Sequence, residues 1–191
     1  MTRIRGAVLF PGAGSSASHS SLVAIENELS PLPVARIDFP YRRAGRAFPD
    51  RAPVLVQCVR DEVRGFAEQL GVDTSSLVIG GRSMGGRMCS MAVADGDDPL
   101  RVAGLVLVSY PLHPPKKPDA LRTEHLPRID VPTLCVSGTL DTFGSPDELQ
   151  DAFVVAGVNV TWRWVDKGRH ELARKDAEVA GHVREWVSGL S

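Results

Sequence analysis

Short, almost wholly apolar runs alternate with longer amphipathic stretches along the whole chain. Six of the runs have the length and composition of strands, and most lack the alternation of apolar and polar residues found when one sheet face meets water. These runs are residues 4–10, 34–39, 77–79, 103–108, 133–137 and 158–165. Continuous apolar strands are typical of parallel sheets that helices cover on both faces.

The stretches between these runs have the apolar spacing of helices with one buried face. They span residues 18–29, 51–70, 84–94, 146–156 and 171–188. Repeated strand–helix alternation predicts a single α/β domain over residues 1–191, with a parallel sheet of about six strands and helices on both faces. Because no long insertion separates the strands, no large cap over the sheet is expected.

Two segments do not fit the alternation. Residues 40–53 carry Arg42, Arg43, Arg46 and Arg51 and are predicted to form a basic loop. Residues 110–127 contain repeated prolines and are predicted to form an extended connection.

Composition narrows the class of protein. Of the 191 residues 43% are hydrophobic and 24% charged, as in ordinary globular proteins, and the net charge of −1 gives no reason to expect nucleic acid or a membrane as partner. The first apolar run ends at Pro11, too early for a signal peptide or a membrane span. Cys58, Cys89 and Cys135 lack metal or redox spacing, which favours buried thiols and a cytoplasmic location.

The strongest chemical signal is Gly81-Arg82-Ser83-Met84-Gly85, which matches the G-x-S-x-G nucleophile elbow. In that motif the serine occupies a tight strand-to-helix turn that presents its hydroxyl at the sheet edge. Small residues two before and two after it are expected to let the strand and the helix approach closely. The apolar run 77–79 before the motif and the helical pattern after it provide the required flanks, so Ser83 is the predicted nucleophile.

A serine nucleophile needs a base, and in this arrangement the base follows an acid that follows the serine. His19 precedes Ser83 and has the wrong order, while His182 falls inside the last helix. His170 follows the last strand and is the preferred base. His113, in the proline-rich connection, remains the alternative.

Two aspartates compete for the role of the acid that orients the base. Asp141 follows the strand 133–137, at the sheet edge where such sites form. Asp166 ends the last strand. Asp141 is preferred because it precedes His170 by a full strand–helix unit.

A tetrahedral oxyanion needs two backbone N–H donors. The residue after the nucleophile, Met84, is expected to supply one. The loop after the first strand, with Gly12 and Gly14 on either side of Ala13, is expected to supply the other from Ala13.

Together these features resemble the α/β-hydrolase superfamily, and more closely its small bacterial members related to dienelactone hydrolase. The resemblance extends over nearly the whole chain and rests on residues 9–14, 40–43, 81–86, 109–112, 136–141 and 168–170. It implies a six-stranded parallel core and a Ser-His-Asp hydrolase of a small ester or thioester, with no metal or organic cofactor. Two departures are that dienelactone hydrolase uses a cysteine where this chain has Ser83, and that Pro11-Gly12 replaces the usual His-Gly pair.

Two other functions compete with hydrolysis. Residues 12–17 follow a strand and fit G-x-G-x-x-G/A, and Asp38 ends the next strand, as in a dinucleotide-binding fold. That interpretation leaves Ser83, Asp141 and His170 unexplained. The other alternative is a hydrolase fold that serves as a non-catalytic scaffold or interaction module, since a fold alone does not dictate activity.

The arginines near the sheet edge suggest a more specific hypothesis about the substrate. Arg42 and Arg43 follow the second strand and Arg82 flanks the nucleophile, so these side chains are candidates to bind a substrate carboxylate or phosphate. The alternative is a solvated basic loop paired with Asp50, Asp61 or Glu62, which is the more common arrangement for loop charges.

Overall fold

The computed structural model describes residues 3–190 and places six strands in one parallel sheet. Met1, Thr2 and Ser191, which the predicted domain includes, lie outside the described residues. The strands are β1 Gly6–Phe10, β2 Val34–Arg36, β3 Leu77–Arg82, β4 Gly104–Val108, β5 Thr133–Gly138 and β6 Val160–Val165. Their order across the sheet is β2-β1-β3-β4-β5-β6, and every neighbouring pair is parallel.

Helices cover both faces of this sheet, which confirms the predicted fold class. The helices are α1 Ser20–Leu29, α2 Pro40–Arg43, α3 Ala52–Leu70, α4 Met84–Val93, α5 Pro146–Val155 and α6 Asp176–Gly189. Apolar residues of α1 and α6 form one core with one face of the sheet. Those of α3, α4 and α5 form a second core on the opposite face. The central strands are buried on both sides, which is why their sequences are continuously apolar.

The largest difference from the sequence prediction lies before the last helix. The pattern predicts a helix from residue 171, but α6 begins at Asp176. Leu172 and Arg174 have φ values of 46° and 63°, and residues in the left-handed region interrupt an α-helix. His170 therefore lies in an irregular segment between β6 and α6.

Both segments that lacked a periodic pattern are largely irregular. The basic segment begins with the short helix α2 and then runs without regular structure to α3. The connection from β4 to β5 contains a single 3-10 turn, Leu126–Arg128. No cap domain stands over the sheet edge within residues 3–190.

Cys58, Cys89 and Cys135 are buried in the apolar layers, in agreement with the sequence prediction. Burial raises the pKa of the Cys58 thiol to about 11 and that of Cys135 to about 12. Among the helices of residues 3–190, none has the length and apolar character needed to cross a membrane.

Because all six strands are parallel, the loops that follow them meet at one edge of the sheet. The loops after β1, β3, β5 and β6 carry Ala13, Ser83, Asp141 and His170 respectively. The fold thus places four residues that are distant in sequence within reach of one another.

Candidate active site

Ser83 is the single residue between β3 and α4, in a backbone conformation that is rare for a side chain other than glycine. Its φ is 50° and its ψ is −117°. Its N–H donates to the carbonyl of Val108 at 2.8 Å, and its own carbonyl accepts from the N–H of Arg87 at 3.1 Å. A residue held outside the common regions costs about 1–3 kcal/mol, and such strain is concentrated at functional sites.

The glycines around Ser83 are required mainly by a neighbouring strand. A Cβ at Gly81 would lie 2.1 Å from the carbonyl oxygen of Phe10, and one at Gly85 would lie 2.2 Å from the same oxygen. Sequence alone predicts that these small residues serve the approach of β3 to α4. The structure shows that the limiting contact at both positions is with β1, which packs against the base of the elbow.

Ser83, His170 and Asp141 form a continuous hydrogen-bonded chain. The Ser83 Oγ lies 2.9 Å from the His170 Nε2. The His170 Nδ1 lies 3.0 Å and 2.9 Å from the two Asp141 carboxylate oxygens. Asp141 is 4% exposed and His170 9%. With Nδ1–H donated to the carboxylate, Nε2 is left to accept the serine proton, as a general base requires.

Two contacts that sequence reasoning missed hold His170 in this orientation. The Phe143 ring stacks on the imidazole with centroids 3.9 Å apart and an interplanar angle of 27°. The Phe143 N–H also donates to Asp141 Oδ1 at 2.8 Å. The sequence offered one clue to the second contact. Phe143 lies two residues after Asp141, and an Asp side chain commonly accepts a hydrogen bond from the N–H two residues later in an Asx turn.

The charge of Arg82 suggests a ligand for a substrate anion, but its guanidinium binds other residues of the chain. Its Nη2 donates to the carbonyl oxygen of His170 at 3.0 Å and to the Glu171 carboxylate at 2.8 Å. The guanidinium is therefore engaged with the loop that carries His170, although it also borders the pocket.

The alternative base and acid lie elsewhere. The buried His113 donates from Nδ1 to the Pro114 carbonyl, and its Nε2 is 3.6 Å from Glu148. Asp166 is exposed to solvent. His19 borders the pocket, but its Nδ1 caps α1 by accepting from the Ser21 N–H. Burial and, next, the charge of Arg82 lower the pKa of His19.

A second serine–histidine pair lies seven residues further along the chain. The Ser90 Oγ is 2.7 Å from the His125 Nε2, and both residues are buried. The Ser90 hydroxyl donates a hydrogen bond to the Arg87 carbonyl at 2.8 Å, so we assign the His125 Nε2–H as the donor between the two side chains. Burial, followed by the charges of Arg87 and Arg128, lowers the pKa of His125 to about 4.

The hydroxyl of Ser83 faces an open pocket of about 630 Å³. Gly12, Ala13, Gly14 and Met84 form part of its wall. Met84 is the first residue of α4, where backbone N–H groups have no partner within the helix. The buried Tyr41 donates to the Ala13 carbonyl at 2.7 Å and fixes this loop against the elbow, a contact that sequence reasoning did not assign.

The basic loop does not reach this pocket. Arg43 pairs with Glu62 of α3 at 2.5 Å, and Arg46 pairs with Asp50 at 2.7 Å. Neither Arg42 nor Arg43 borders this pocket, so the pocket wall gives no support to their candidacy as substrate ligands. Both residues lie in the short helix α2. The arginines that do border the pocket with Arg82 are Arg87 and Arg122.

The glycine-rich loop after β1 is also used differently from a dinucleotide site. The carboxylate of Asp38, the candidate ribose ligand, accepts the Ala17 N–H at 2.7 Å and holds the loop before α1. The strand order also differs from the 3-2-1-4-5-6 order of the dinucleotide-binding fold. Residues 3–190 contain no group of three or more side chains arranged to hold a metal ion.

The family assignment follows from comparison of the whole chain with known proteins. Residues 5–188 match the model of a family described as an alpha/beta hydrolase domain. The chain belongs to this family.

Solved structures with the same fold include two that are described as serine hydrolases. Est1E from Butyrivibrio proteoclasticus is 16% identical, with a TM-score of 0.75 over 100% of this chain and 89% of that one. An alpha-beta serine hydrolase homologue from Coxiella burnetii is 14% identical, with a TM-score of 0.76 over 97% of this chain and 86% of that one. XC6422 from Xanthomonas campestris, a serine hydrolase without a lid, is 16% identical, with a TM-score of 0.72 over 98% and 84% of the two chains. At these identities the likeness shows the fold.

Proposed function

We propose that this protein is a serine hydrolase that cleaves a small ester or thioester through an acyl-enzyme intermediate. The observation that supports this most directly is the chain of short contacts from Ser83 through His170 to the buried Asp141. Serine is unreactive at neutral pH without such a base, and the base needs an anion to stabilise its protonated form.

In the first step the Ser83 Oγ attacks the ester carbonyl while His170 Nε2 takes the hydroxyl proton. The carbonyl oxygen becomes an oxyanion, which the backbone N–H groups of Ala13 and Met84 stabilise. Asp141 stabilises the imidazolium through Nδ1–H. Collapse of the tetrahedral intermediate breaks the bond to the leaving alcohol or thiol, which takes the proton from His170.

In the second step water attacks the acyl-Ser83 ester and gives its proton to His170 Nε2. The same two N–H groups stabilise the second oxyanion. Collapse releases the carboxylic acid, and the proton returns from His170 to Ser83. The sum is one ester and one water converted into one acid and one alcohol, with no group outside the chain required.

The dimensions of the pocket favour a small substrate. A volume of about 630 Å³ accommodates an acyl group of modest length. Est1E has been observed with ferulic acid bound, a small carboxylic acid, on a fold that matches this chain with a TM-score of 0.75.

Labelling with a fluorophosphonate probe tests this proposal. We expect wild type to be labelled, and Ser83→Ala and His170→Ala to lose the label. Ser90→Ala is the matched control because Ser90 also contacts a histidine but is fully buried. A folded wild-type protein that resists the probe, or a label that persists in Ser83→Ala, would contradict the proposal and favour the non-catalytic scaffold.

A further inference from the structure

Two cationic side chains border the catalytic pocket without a carboxylate beside them. Arg87 lies in the first turn of α4, and Arg122 lies on the connection from β4 to β5. Neither forms an ion pair with any residue of the described range 3–190, whereas Arg82 in the same wall is paired with Glu171. The pocket therefore has an excess of positive charge close to Ser83.

Arg87 is the less satisfied of the two guanidinium groups. Its Nε is buried and has no hydrogen-bond partner within residues 3–190. Buried donors in proteins are nearly always paired, and an unpaired one costs about 1–3 kcal/mol. An anion bound in the pocket would give the Arg87 guanidinium the partner that the protein does not supply.

Arg122 is positioned by its own backbone and placed near Arg87. Its carbonyl accepts from the Tyr110 hydroxyl at 2.8 Å, and its N–H donates to the Leu112 carbonyl at 2.9 Å. Its side chain uses one N–H, from Nη1 to the Pro111 carbonyl at 3.2 Å. Burial and, next, the charge of Arg87 lower the pKa of Arg122, as expected for two neighbouring cations without an anion.

We propose that Arg87 and Arg122 form a subsite for a carboxylate on the substrate, so that the preferred ester carries a terminal carboxylate on its acyl chain. The inference rests on the proposed function, since it names the class of substrate for that site. The N–H of Arg87 bonds to the carbonyl of Ser83, so the two backbones are four residues apart, close to one helical turn, and both residues border the same pocket. Because Ser83, Arg87 and Arg122 border one pocket, the ester and the carboxylate should be joined by a short spacer, as in the monoester of a four- or five-carbon dicarboxylic acid.

A pair of chromogenic esters of equal length isolates the carboxylate. Mono(4-nitrophenyl) succinate and 4-nitrophenyl butyrate differ at the end of a four-carbon acyl chain, where one has a carboxylate and the other a methyl group. We expect wild type to have the higher kcat/KM for the succinate ester after the uncatalysed rate is subtracted. In Arg122→Gln and Arg87→Gln the ratio of the two kcat/KM values should fall roughly 10- to 100-fold, the usual effect of one charge-assisted contact.

Matched variants separate this effect from a change in fold or overall charge. Arg42→Gln removes an arginine outside the pocket and should leave the ratio at the wild-type value. Arg122→Lys should restore part of the ratio, because it keeps the charge and loses the forked geometry. Thermal unfolding checks that each variant folds, and the wild-type ratio provides a test even if Arg87→Gln does not fold. A wild-type preference for butyrate, or a ratio unchanged in Arg122→Gln, would overturn the subsite.

A binding measurement distinguishes failure of the subsite from failure of the proposed function. Calorimetric titration of Ser83→Ala with monoethyl succinate needs no catalysis, and the affinity should be lost in the Ser83→Ala, Arg122→Gln double variant. Hydrolysis of butyrate without binding of monoethyl succinate rejects the subsite and keeps the hydrolase. Binding that depends on Arg122 in a protein that hydrolyses neither ester supports the subsite and rejects the hydrolase.

Discussion

Two serine–histidine pairs lie near the same helix and have almost the same contact distance, yet their surroundings give them opposite chemistry. Ser83 and His170 are 2.9 Å apart, and Ser90 and His125 are 2.7 Å apart. Distance between a hydroxyl and an imidazole therefore does not identify a nucleophile. What differs is the partner of each group on its other side.

The direction of the hydrogen bond is reversed between the pairs. His170 Nδ1 contacts a carboxylate, so its Nε2 is available to accept the Ser83 proton. The Ser90 proton is already donated to a backbone carbonyl, so His125 donates to Ser90 and cannot act as its base. No carboxylate forms an ion pair with His125 within residues 3–190, and burial, followed by the charges of Arg87 and Arg128, disfavours its protonation.

Access to substrate differs as well. Ser83 borders an open pocket, and its backbone conformation turns the hydroxyl toward it. Ser90 is fully buried under the proline-rich connection. The second pair therefore joins that connection to α4 and has no access to an ester.

The largest expected effect comes from making the first pair resemble the second by removing its anion. Asp141→Asn should lower kcat/KM on a 4-nitrophenyl ester about 10⁴-fold, because the amide no longer stabilises the imidazolium and favours the wrong tautomer. Asp147→Asn, on the exposed first turn of α5, is the control. Retention of more than a tenth of the activity in Asp141→Asn would show that His170 does not depend on this carboxylate.

The second pair should affect the way the free energy of unfolding depends on pH, and it should not affect catalysis. His125 has a folded pKa of about 4, below the ordinary 6.5, so the unfolded chain binds more protons between these values. The free energy of unfolding should therefore be insensitive to this group above pH 6.5 and fall as the pH drops toward 4. Between pH 7 and 4.5 wild type should lose about 2 kcal/mol more than His125→Gln, a factor of about 30 in the unfolding equilibrium.

Urea unfolding at the two pH values measures this difference. Gln is the chosen replacement because its amide can still donate to Ser90. Equal losses in wild type and His125→Gln would show that His125 is not held neutral by its surroundings.

The smallest expected effect tests how the first pair is oriented. Phe143→Leu removes the ring that stacks on His170 and keeps the backbone N–H that binds Asp141. A misplaced base should lower kcat/KM about tenfold, since catalytic groups are sensitive to shifts of a fraction of an ångström. Phe48→Leu, at an 85% exposed position, is the matched control. If Phe143→Leu equals wild type, the stacking does not orient His170.

Much of this arrangement is predictable from particular residues. The apolar runs predict all six strands, because parallel strands covered on both faces cannot alternate in polarity. The chain order of Ser83, Asp141 and His170, each placed after a strand, predicts that they meet at one sheet edge, where the structure places them. The elbow motif predicts the unusual backbone of Ser83, since a strand can turn so sharply into a helix only in a strained conformation.

Other features were beyond reach of the sequence because they depend on contacts between distant segments. Arg42 and Arg43 have the charge expected of anion ligands, but neither borders the pocket, and Arg43 pairs with Glu62 of α3. Arg87 and Arg122 have no local motif, and only the packing of the proline-rich connection over α4 brings them to one pocket. The start of α6 was predicted too early because apolar spacing does not report the positive φ values of Leu172 and Arg174.

The sequence by itself determined the succession of strands and helices along the chain, the nucleophile elbow, and which acidic and basic side chains are available after the strands. These features depend on local periodicity and on chain order. Tertiary structure decided which histidine received a carboxylate, which serine was left accessible and which arginines were left without an anion. The physical reason is that protonation, direction of hydrogen bonding and burial are set by neighbours in space. Along this chain those neighbours are 87 residues apart for Ser83 and His170 and 35 for Ser90 and His125.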